Sequence, residues 1–461
     1  MMKRLLLTLS VVLGFSGFTA FAQEWTDTIR HEIYDHVVFY DGYRMKNNPD
    51  SLLNDGILRH SCSLYSTKLS DEFLDQIGDK LNMNVFITAA CDNYDRIGNI
   101  NIALVPKGES TYSTEEVQRF EIGRFITPFM NKNKQPDTVP YSYEMDYLSM
   151  ILRDKDIRET YDLWLEFELF GIPYAANEQI QGCKDRNDVF QGTLEFVSNQ
   201  PAQPSEGNVL LPIVIKKPEY IGNNLNNYKE VATDTIGKTT KTYTFEVSED
   251  VNDSQIVLIT SNHGANTNGE EYNRRWHYVY FDDELVLSYK PGRESCEPFR
   301  KYNTQTNGIY GYSAKSDQAW QSFSNWCPGD VIDNRIINLG ALKAGEHKIR
   351  ISVPEARFVG NQGDIPVSMY FHGLKEGVFN TASIFSPEIK TIYTDLALNN
   401  GILYFKTDLT IDKVEIYNIN GERLYVQWNS APVNVSGLSH NIYLVNIELS
   451  NGLTETHKVI F

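Results

Sequence analysis

Past its N-terminal leader the chain has no uninterrupted apolar run of the roughly 20 residues that a membrane-spanning helix requires, so no span is expected. A basic excess is missing as well. Lys and Arg number 42 against 60 Asp and Glu, a formal net charge of −18, and nucleic-acid affinity rests on basic contacts to phosphate. Nucleic acid is therefore not an expected partner. The nine histidines never form H-x-H, HExxH or a Cys/His framework with zinc spacing, so no metal site is expected. A G-x-S-x-G elbow, a P-loop and a G-x-G-x-x-G loop are all missing, which argues against serine hydrolases, NTPases and dinucleotide enzymes. No cofactor is called for. No repeat of 20 to 50 residues exists to build a solenoid. Cysteine is scarce, five in 461 residues, and the odd count leaves at least one thiol free or paired outside the chain.

What is present begins with MMKRLLLTLSVVLGFSGFTAFA, residues 1–22. Two basic residues, a short apolar run and small residues ending Ala20-Phe21-Ala22 make a secretory signal with cleavage before Gln23. Loss of Lys3 and Arg4 makes the mature chain still more acidic. The expected destination is the cell surface or the medium, by way of the periplasm, where disulfides persist. A bridge between Cys296 and Cys327 would contribute about 3 to 4 kcal/mol in the chain-entropy picture.

Tyr and Phe number 27 and 23, against 30 Gly and 17 Pro, the profile of many short strands joined by turns. Alternation predicts strands at Phe120 to Pro128, Trp164 to Phe170, Val209 to Ile215, Tyr243 to Val247, Val257 to Thr260, His277 to Phe281, Leu285 to Tyr289, His347 to Val353 and Val367 to Phe371. One helix is expected, capped by Ser70, stapled by Leu69 and Leu74, and burying Phe73, Leu74, Ile77 and Leu81. Prolines and polar residues over 198–208 mark a boundary, and a second break falls near 379–387. Beyond it, Asn420-Gly421 and Asn451-Gly452 sit between alternating segments as hairpin turns would. The expected units are 23–200, 207–378 and a small β domain over 388–461.

Three clusters carry candidate chemistry. In WLEFELF, period two puts Trp164, Glu166, Glu168 and Phe170 on one outward face. In the stretch Ser261 to Asp283, a Gly- and Asn-rich loop leads to Glu271, Asn273, Arg275 and His277, expected on one side of an entering strand. In CDNYDR, Asp95 beside Arg96 suits a carboxylate held ionised by a cation, while Asp92 suits an Asx turn. Each alone has a plain structural reading: a solvated sheet face, a surface ion-pair ladder, a turn.

The segments CDNYDR (Cys91 to Arg96), EIGRFITPF (Glu121 to Phe129) and NWCPG (Asn325 to Gly329), in that order, resemble the peptide-N-glycosidase F family over roughly residues 30 to 375. That family cleaves the bond between an asparagine side chain and the first GlcNAc of an N-linked glycan. The resemblance implies an all-β fold of two adjacent antiparallel eight-stranded jelly rolls with the site in the cleft between them. It implies catalytic roles for Asp95, Glu271 and Glu166, with Glu168 as the one-step alternative to Glu166. The substrate-binding set is Arg96, Tyr94, Trp164, Glu168, Tyr272, Arg275, His263 and Trp326, and the bridge is Cys296 to Cys327. Departures from the family are Gly269 and Asn273 in place of a bracketing cysteine pair, and Tyr94 and Tyr272 in place of tryptophans. A second cysteine before Cys91 is also missing, which leaves Cys91 to pair with Cys62 or Cys183.

From about Thr391 the chain is similar to the C-terminal sorting domains of the type IX secretion route, on VEIYNINGERL, VNVSGL and the terminal HKVIF. This implies a small third β-sandwich that engages the outer-membrane secretion machinery. The expected protein is a secreted monomer whose partners are N-glycosylated proteins or glycopeptides. The alternative is a glycan-binding protein without catalysis. A copper monooxygenase would need clustered histidines, and a C–O glycosidase would leave a sugar on the asparagine.

Overall fold

A computed structural model describes residues 28–44, 56–215, 239–264, 270–305, 316, 324–356, 364–379, 394–399, 401–407, 410–418, 423–439, 442–449 and 454–460. The leader, the break beyond Phe379, and the Asn420-Gly421 and Asn451-Gly452 turns lie outside these residues.

The first sandwich is built from β1 (Ile29–Tyr40), β2 (Ile57–Arg59), β3 (Leu64–Lys68), β4 (Leu81–Ala89), β5 (Ile97–Pro106), β6 (Gln118–Ile126), β7 (Thr138–Glu144), β8 (Tyr161–Leu169) and β9 (Asp188–Ser198). One sheet has the order β1-β9-β4-β7. The sheet facing it runs β6-β5-β8-β3, extended by β2 at one edge. The second sandwich comprises β10 (Asn208–Val214), β11 (Thr240–Val247), β12 (Asp253–Thr260), β13 (His277–Phe281), β14 (Glu284–Tyr289), β15 (Val331–Ile332), β16 (Arg335–Asn338), β17 (Gly345–Ser352) and β18 (Val367–Leu374). Its sheets are β10-β18-β12-β16 and β11-β17-β13-β14. Setting aside β2 and β15, the chain alternates between sheets in the same pattern in both sandwiches, so each is an eight-stranded antiparallel jelly roll. β15 leaves its own sandwich and pairs with β6, Val331 against Phe125 and Ile332 against Arg124.

A third, smaller sandwich holds β19 (Asp395–Asn399), β20 (Ile402–Lys406), β21 (Ile411–Asn418), β22 (Arg423–Gln427), β23 (Val433–Asn434), β24 (Ile442–Leu449) and β25 (Thr454–Ile460), in sheets β19-β20-β23 and β22-β21-β24-β25. Tyr278 of β13 joins its core beside Val414, Ile416 and Val445.

The periodicity explains the strands. In β4, Leu81, Met83, Val85, Ile87 and Ala89 are buried and alternate with half-buried neighbours, the pattern of a sheet with one face on the core. β5, β6 and β8 are buried along nearly their whole length, because both faces of their sheet are covered. Phe120 of β6 packs on Tyr370 of β18, ring centroids 4.8 Å apart, which continues the first core into the second sandwich. Such pairs add about 0.5 to 1.5 kcal/mol beyond the area they bury. Gly98 of β5 is required by close approach, since a Cβ there would meet the Phe125 ring at 2.0 Å.

The nine strands expected from alternation all form. The helix is shorter than expected: α1 spans Asp71–Asp75, with the Ser70 side chain accepting from the Phe73 N–H. Ile77 and Leu81 are buried as expected, but Leu81 already opens β4. Short helices α2 (Asp146–Leu152), α3 (Lys155–Thr160) and α4 (Tyr174–Gln179) were not expected. At one or two turns they are too brief to show a 3.6-residue period.

Candidate active site

Asp95 sits on the loop between β4 and β5. Two devices fix this loop. A disulfide joins Cys91 to Cys183 across a sequence separation of 92, which resolves the pairing left open above; Cys62 keeps its thiol, buried in the first sandwich. Asp92 is the second device. Its Oδ1 accepts from the Tyr94 N–H at 3.0 Å, forming the expected Asx turn, and its Oδ2 accepts from the Ile172 N–H at 2.8 Å and from Arg96 Nε at 2.7 Å. Arg96 is therefore ion-paired with Asp92; it opposes the rise of the Asp95 carboxyl, as expected, but does not keep that carboxyl in the usual range. Burial, and then the charge of Glu271, push the Asp95 carboxyl up to about 7, with Arg96 opposing. Desolvation of a half-buried acid here outweighs a neighbouring cation already neutralised by another carboxylate.

Glu271 comes from the second sandwich, on a turn ahead of β13. Its N–H donates to the Gly264 carbonyl and its Oε2 accepts from the Gly264 N–H, both at 3.3 Å. Its carbonyl accepts from Ser324 Oγ at 2.9 Å and from the Asn325 side chain at 2.7 Å. Burial raises the Glu271 carboxyl, while hydrogen bonds from the Tyr272 side chain and the Gly264 N–H pull it down. Tyr272 is raised by burial, Glu271 and Asp95 in turn, so both carboxylates lie within charge-coupling range of this hydroxyl. Two acids from different jelly rolls are thus both raised by desolvation, and the charge of Glu271 makes Asp95 harder still to ionise.

The other expected residues divide. Tyr94 is 40% exposed beside this space, with its ring edge-on to Phe129 at 6.0 Å. The expected strand over 271–277 is turn and irregular chain through Trp276, and β13 begins only at His277, so period two does not align its side chains. Arg275 lies 3.5 Å from Glu270. His277 is buried, stacked on Tyr289 at 4.7 Å, and lowered to about 3 by burial. Trp326 is 5% exposed and donates from Nε1 to the Asn262 carbonyl at 3.1 Å, with His263 against its face at 6.0 Å. Trp326 thus holds residues 262 and 263, next to the Gly264 that bonds Glu271. The expected bridge between Cys296 and Cys327 is formed, packed on Phe129.

On β8 the outward face is not open, contrary to expectation, because the chain between β5 and β6 folds over it. Trp164 is 5% exposed, edge-on to Tyr112 at 5.5 Å. Glu166 is wholly buried and accepts from Tyr112 at 2.8 Å, Asn101 at 3.0 Å and Arg119 Nε at 2.8 Å. With Arg119 gripping both oxygens, that carboxylate is saturated. Glu168 stands opposite Asn99, one step of the pleat nearer the Asp95 loop than Glu166, which stands opposite Asn101. Two residues along a strand is about 7 Å.

Sequence reasoning passed over Thr127, whose Oγ1 accepts from the Arg96 N–H at 2.7 Å and whose N–H donates to the Arg96 carbonyl at 2.8 Å. It also passed over Asn325, whose amide ties together the carbonyls of the Glu271 turn. Both lie in the quoted motifs EIGRFITPF and NWCPG, which was the signal available. Among the described residues no group of three or more His, Cys, Asp or Glu side chains is placed to hold a metal. No helix among them is long and apolar enough to cross a membrane.

Comparison with known proteins follows the same division. The profile for peptide-N-glycosidase F, N terminal, matches residues 32–184, and that for its C-terminal part matches 227–372. A secretion system C-terminal sorting domain matches 399–461, which marks the protein for export. No curated protein matches. The solved structure of PNGF-II is 18% identical with a TM-score of 0.53 over 76% of this chain, and the chain spans 66% of that protein's length. PNGase F of Flavobacterium meningosepticum, described as a glycosylasparaginase, is 14% identical with a TM-score of 0.49, covering 77% of this chain and 98% of that one. The chain belongs to the peptide-N-glycosidase F family, its first two sandwiches matching that family's N-terminal and C-terminal parts ahead of a secretion sorting domain.

Proposed function

We propose that the protein is a secreted amidase that hydrolyses the bond between the asparagine side chain and the first GlcNAc of N-linked glycans. The observation that carries this reading is the charge coupling of Asp95 and Glu271, two desolvated acids from separate jelly rolls. An acid raised to about 7 is half ionised at neutral pH, where a general base works best. Asp95 takes a proton from water as the oxygen attacks the asparagine Cγ. The C–N bond breaks, the nitrogen gains a proton, and the products are aspartate in the peptide and a glycosylamine.

Glu271 and Tyr272, which hydrogen-bond each other, orient the first sugar and supply the proton to the leaving nitrogen. The two acids titrate as a pair, so neither apparent pKa belongs to one residue alone. Tyr94, open to solvent at the rim, offers a ring face to a sugar, and Arg96 borders it at 5.4 Å. Glu168 takes the third carboxylate role in place of Glu166, because Glu166 has no lone pair left for a substrate. The units 23–200 and 207–378 form the catalytic body, and 388–461 is the export domain.

The test is mass spectrometry of a defined glycopeptide incubated with the protein in ¹⁸O water. Label in a new aspartate is the expected result. Saturable binding with every asparagine intact would replace this reading with that of a glycan-binding protein. An asparagine that keeps one sugar would mean C–O cleavage.

A further inference from the structure

The EIGRFITP segment is used only in part by the site described above: its threonine holds the Asp95 loop, but Arg124 has no role yet. We propose that Arg124 is a positioning residue, which fixes the Glu271 turn at a set distance from Asp95 by acting through Ser261 and His263. The inference rests on the proposed function in one respect, that Asp95 and Glu271 are the working pair.

Arg124 lies near the end of β6 and is fully buried. Its Nε and Nη2 grip the two oxygens of Glu121 at 2.8 Å each, which neutralises a charge that could not otherwise be buried. Glu121 is itself held by Asn99 at 2.6 Å and by Ser368. The remaining reach of the guanidinium goes into the second sandwich. Nη1 donates to Ser261 Oγ at 2.8 Å and to the Pro366 carbonyl at 3.0 Å, and Nη2 approaches Ser368 Oγ at 3.4 Å. Ser261 Oγ is 2.8 Å from His263 Nε2. Because Arg124 can only donate, Ser261 accepts from it and turns its own hydrogen to His263.

His263 is then fixed by a two-way backbone bridge to Asp364, at 2.9 and 3.0 Å, and by the Trp326 ring. The next residue, Gly264, holds Glu271 by both its N–H and its carbonyl. At the other end of the same short segment, Thr127 holds the backbone of Arg96 beside Asp95. From residue 124 to residue 127 an extended chain advances about 10 Å. The segment is paired with β5 on one side and β15 on the other, so it does not flex. One rigid stretch of chain therefore locates both carboxylates, Asp95 through Thr127 and Glu271 through Arg124.

Lysine cannot replace this arginine, because a point ammonium cannot grip Glu121 with two nitrogens and reach Ser261 with a third. Misplacement of reacting groups by about 1 Å can cost on the order of 100-fold in rate.

The test compares Arg124→Lys and Ser261→Ala with the full-length wild-type protein by two readouts. The first is the ¹³C titration of Asp95 in protein labelled at the aspartate carboxyl, with the signal assigned by Asp95→Asn. The groups facing Asp95 are Arg96 and Asp92 on its own loop and Glu271 and Tyr272 across the cleft. If Glu271 moves away, the midpoint falls, and the expected shift is about half a pH unit or more downward. The second readout is amidase kinetics, where kcat falls about tenfold or more with KM within about threefold. Loss of folded protein alone lowers activity without moving the Asp95 midpoint. If Arg124→Lys does not fold, Ser261→Ala still breaks the link while leaving the Glu121 pair intact.

Folded variants with the midpoint and kcat both unchanged would overturn the inference. A wild-type protein without amidase activity whose Asp95 midpoint still falls in Ser261→Ala would sink the proposed reaction and leave the positioning role standing.

Discussion

Asp95→Asn should cost activity and gain stability, and the gain should depend on pH. In the unfolded chain Asp95 ionises near its ordinary 3.8, whereas in the folded protein it holds its proton to about 7. Between these values the folded state binds more protons than the unfolded state, so stability falls as pH rises through the window. The cost is absent below about pH 4 and complete above about pH 7. Three units at about 1.4 kcal/mol each set an upper bound near 4 kcal/mol. Asp95 is only partly buried and shares its burden with Glu271, so about 2 to 4 kcal/mol is expected. Asparagine keeps the shape and has no charge to desolvate.

The assay is urea unfolding of both proteins at intervals from pH 4 to 8, read as the difference in midpoint times slope. The difference should grow through pH 4 to 7 and then level off, while amidase turnover in the variant drops by about 1,000-fold or more. A difference that is flat with pH, or a variant less stable than wild type at pH 8, would refute the electrostatic reasoning.

Further outcomes follow from the same geometry. The kcat/KM of the wild type should rise with pH through a midpoint near 7, the value to which Asp95 is pushed, and a profile flat from pH 5 to 9 would remove Asp95 as the base. Glu166→Gln should destabilise the fold by about 3 to 5 kcal/mol in denaturant, because it leaves Arg119 buried without its carboxylate. Glu168→Gln should instead lower kcat/KM with little change in stability; the reverse pattern would restore Glu166 to the site. Cys183→Ser should cost about 4 to 5 kcal/mol by the loop it opens, a separation of 92 residues, measured by the same unfolding assay with Cys91 also replaced.

Much of the fold was legible because strand alternation is a local property. Leu81, Met83 and Val85 in β4 need only their own spacing to declare an inward face, and the nine predicted strands stand. Of the candidate site, Asp95 in CDNYDR was picked out, whereas Thr127 and Arg124 in EIGRFITP and Asn325 in NWCPG lay inside quoted motifs and were passed over. Where the reading failed, it failed on what covers what. Trp164 and Glu166 alternate outward correctly, yet the chain that follows β5 brings Tyr112 over them and closes the face. Arg96 is next to Asp95 in sequence, yet Asp92 holds it.

The sequence by itself determined the all-β class, the three-part organisation of its strand patterns, the export leader as an expectation, and the residue types able to do acid–base work. Tertiary structure alone decided which acids are desolvated, which cysteine closes on Cys91, and which carboxylate on β8 is saturated by Arg119. The physical reason is range. Secondary structure is set by neighbours two to four positions away, whereas burial and charge coupling are set by whatever the fold brings within a few ångströms, here side chains from two separate jelly rolls.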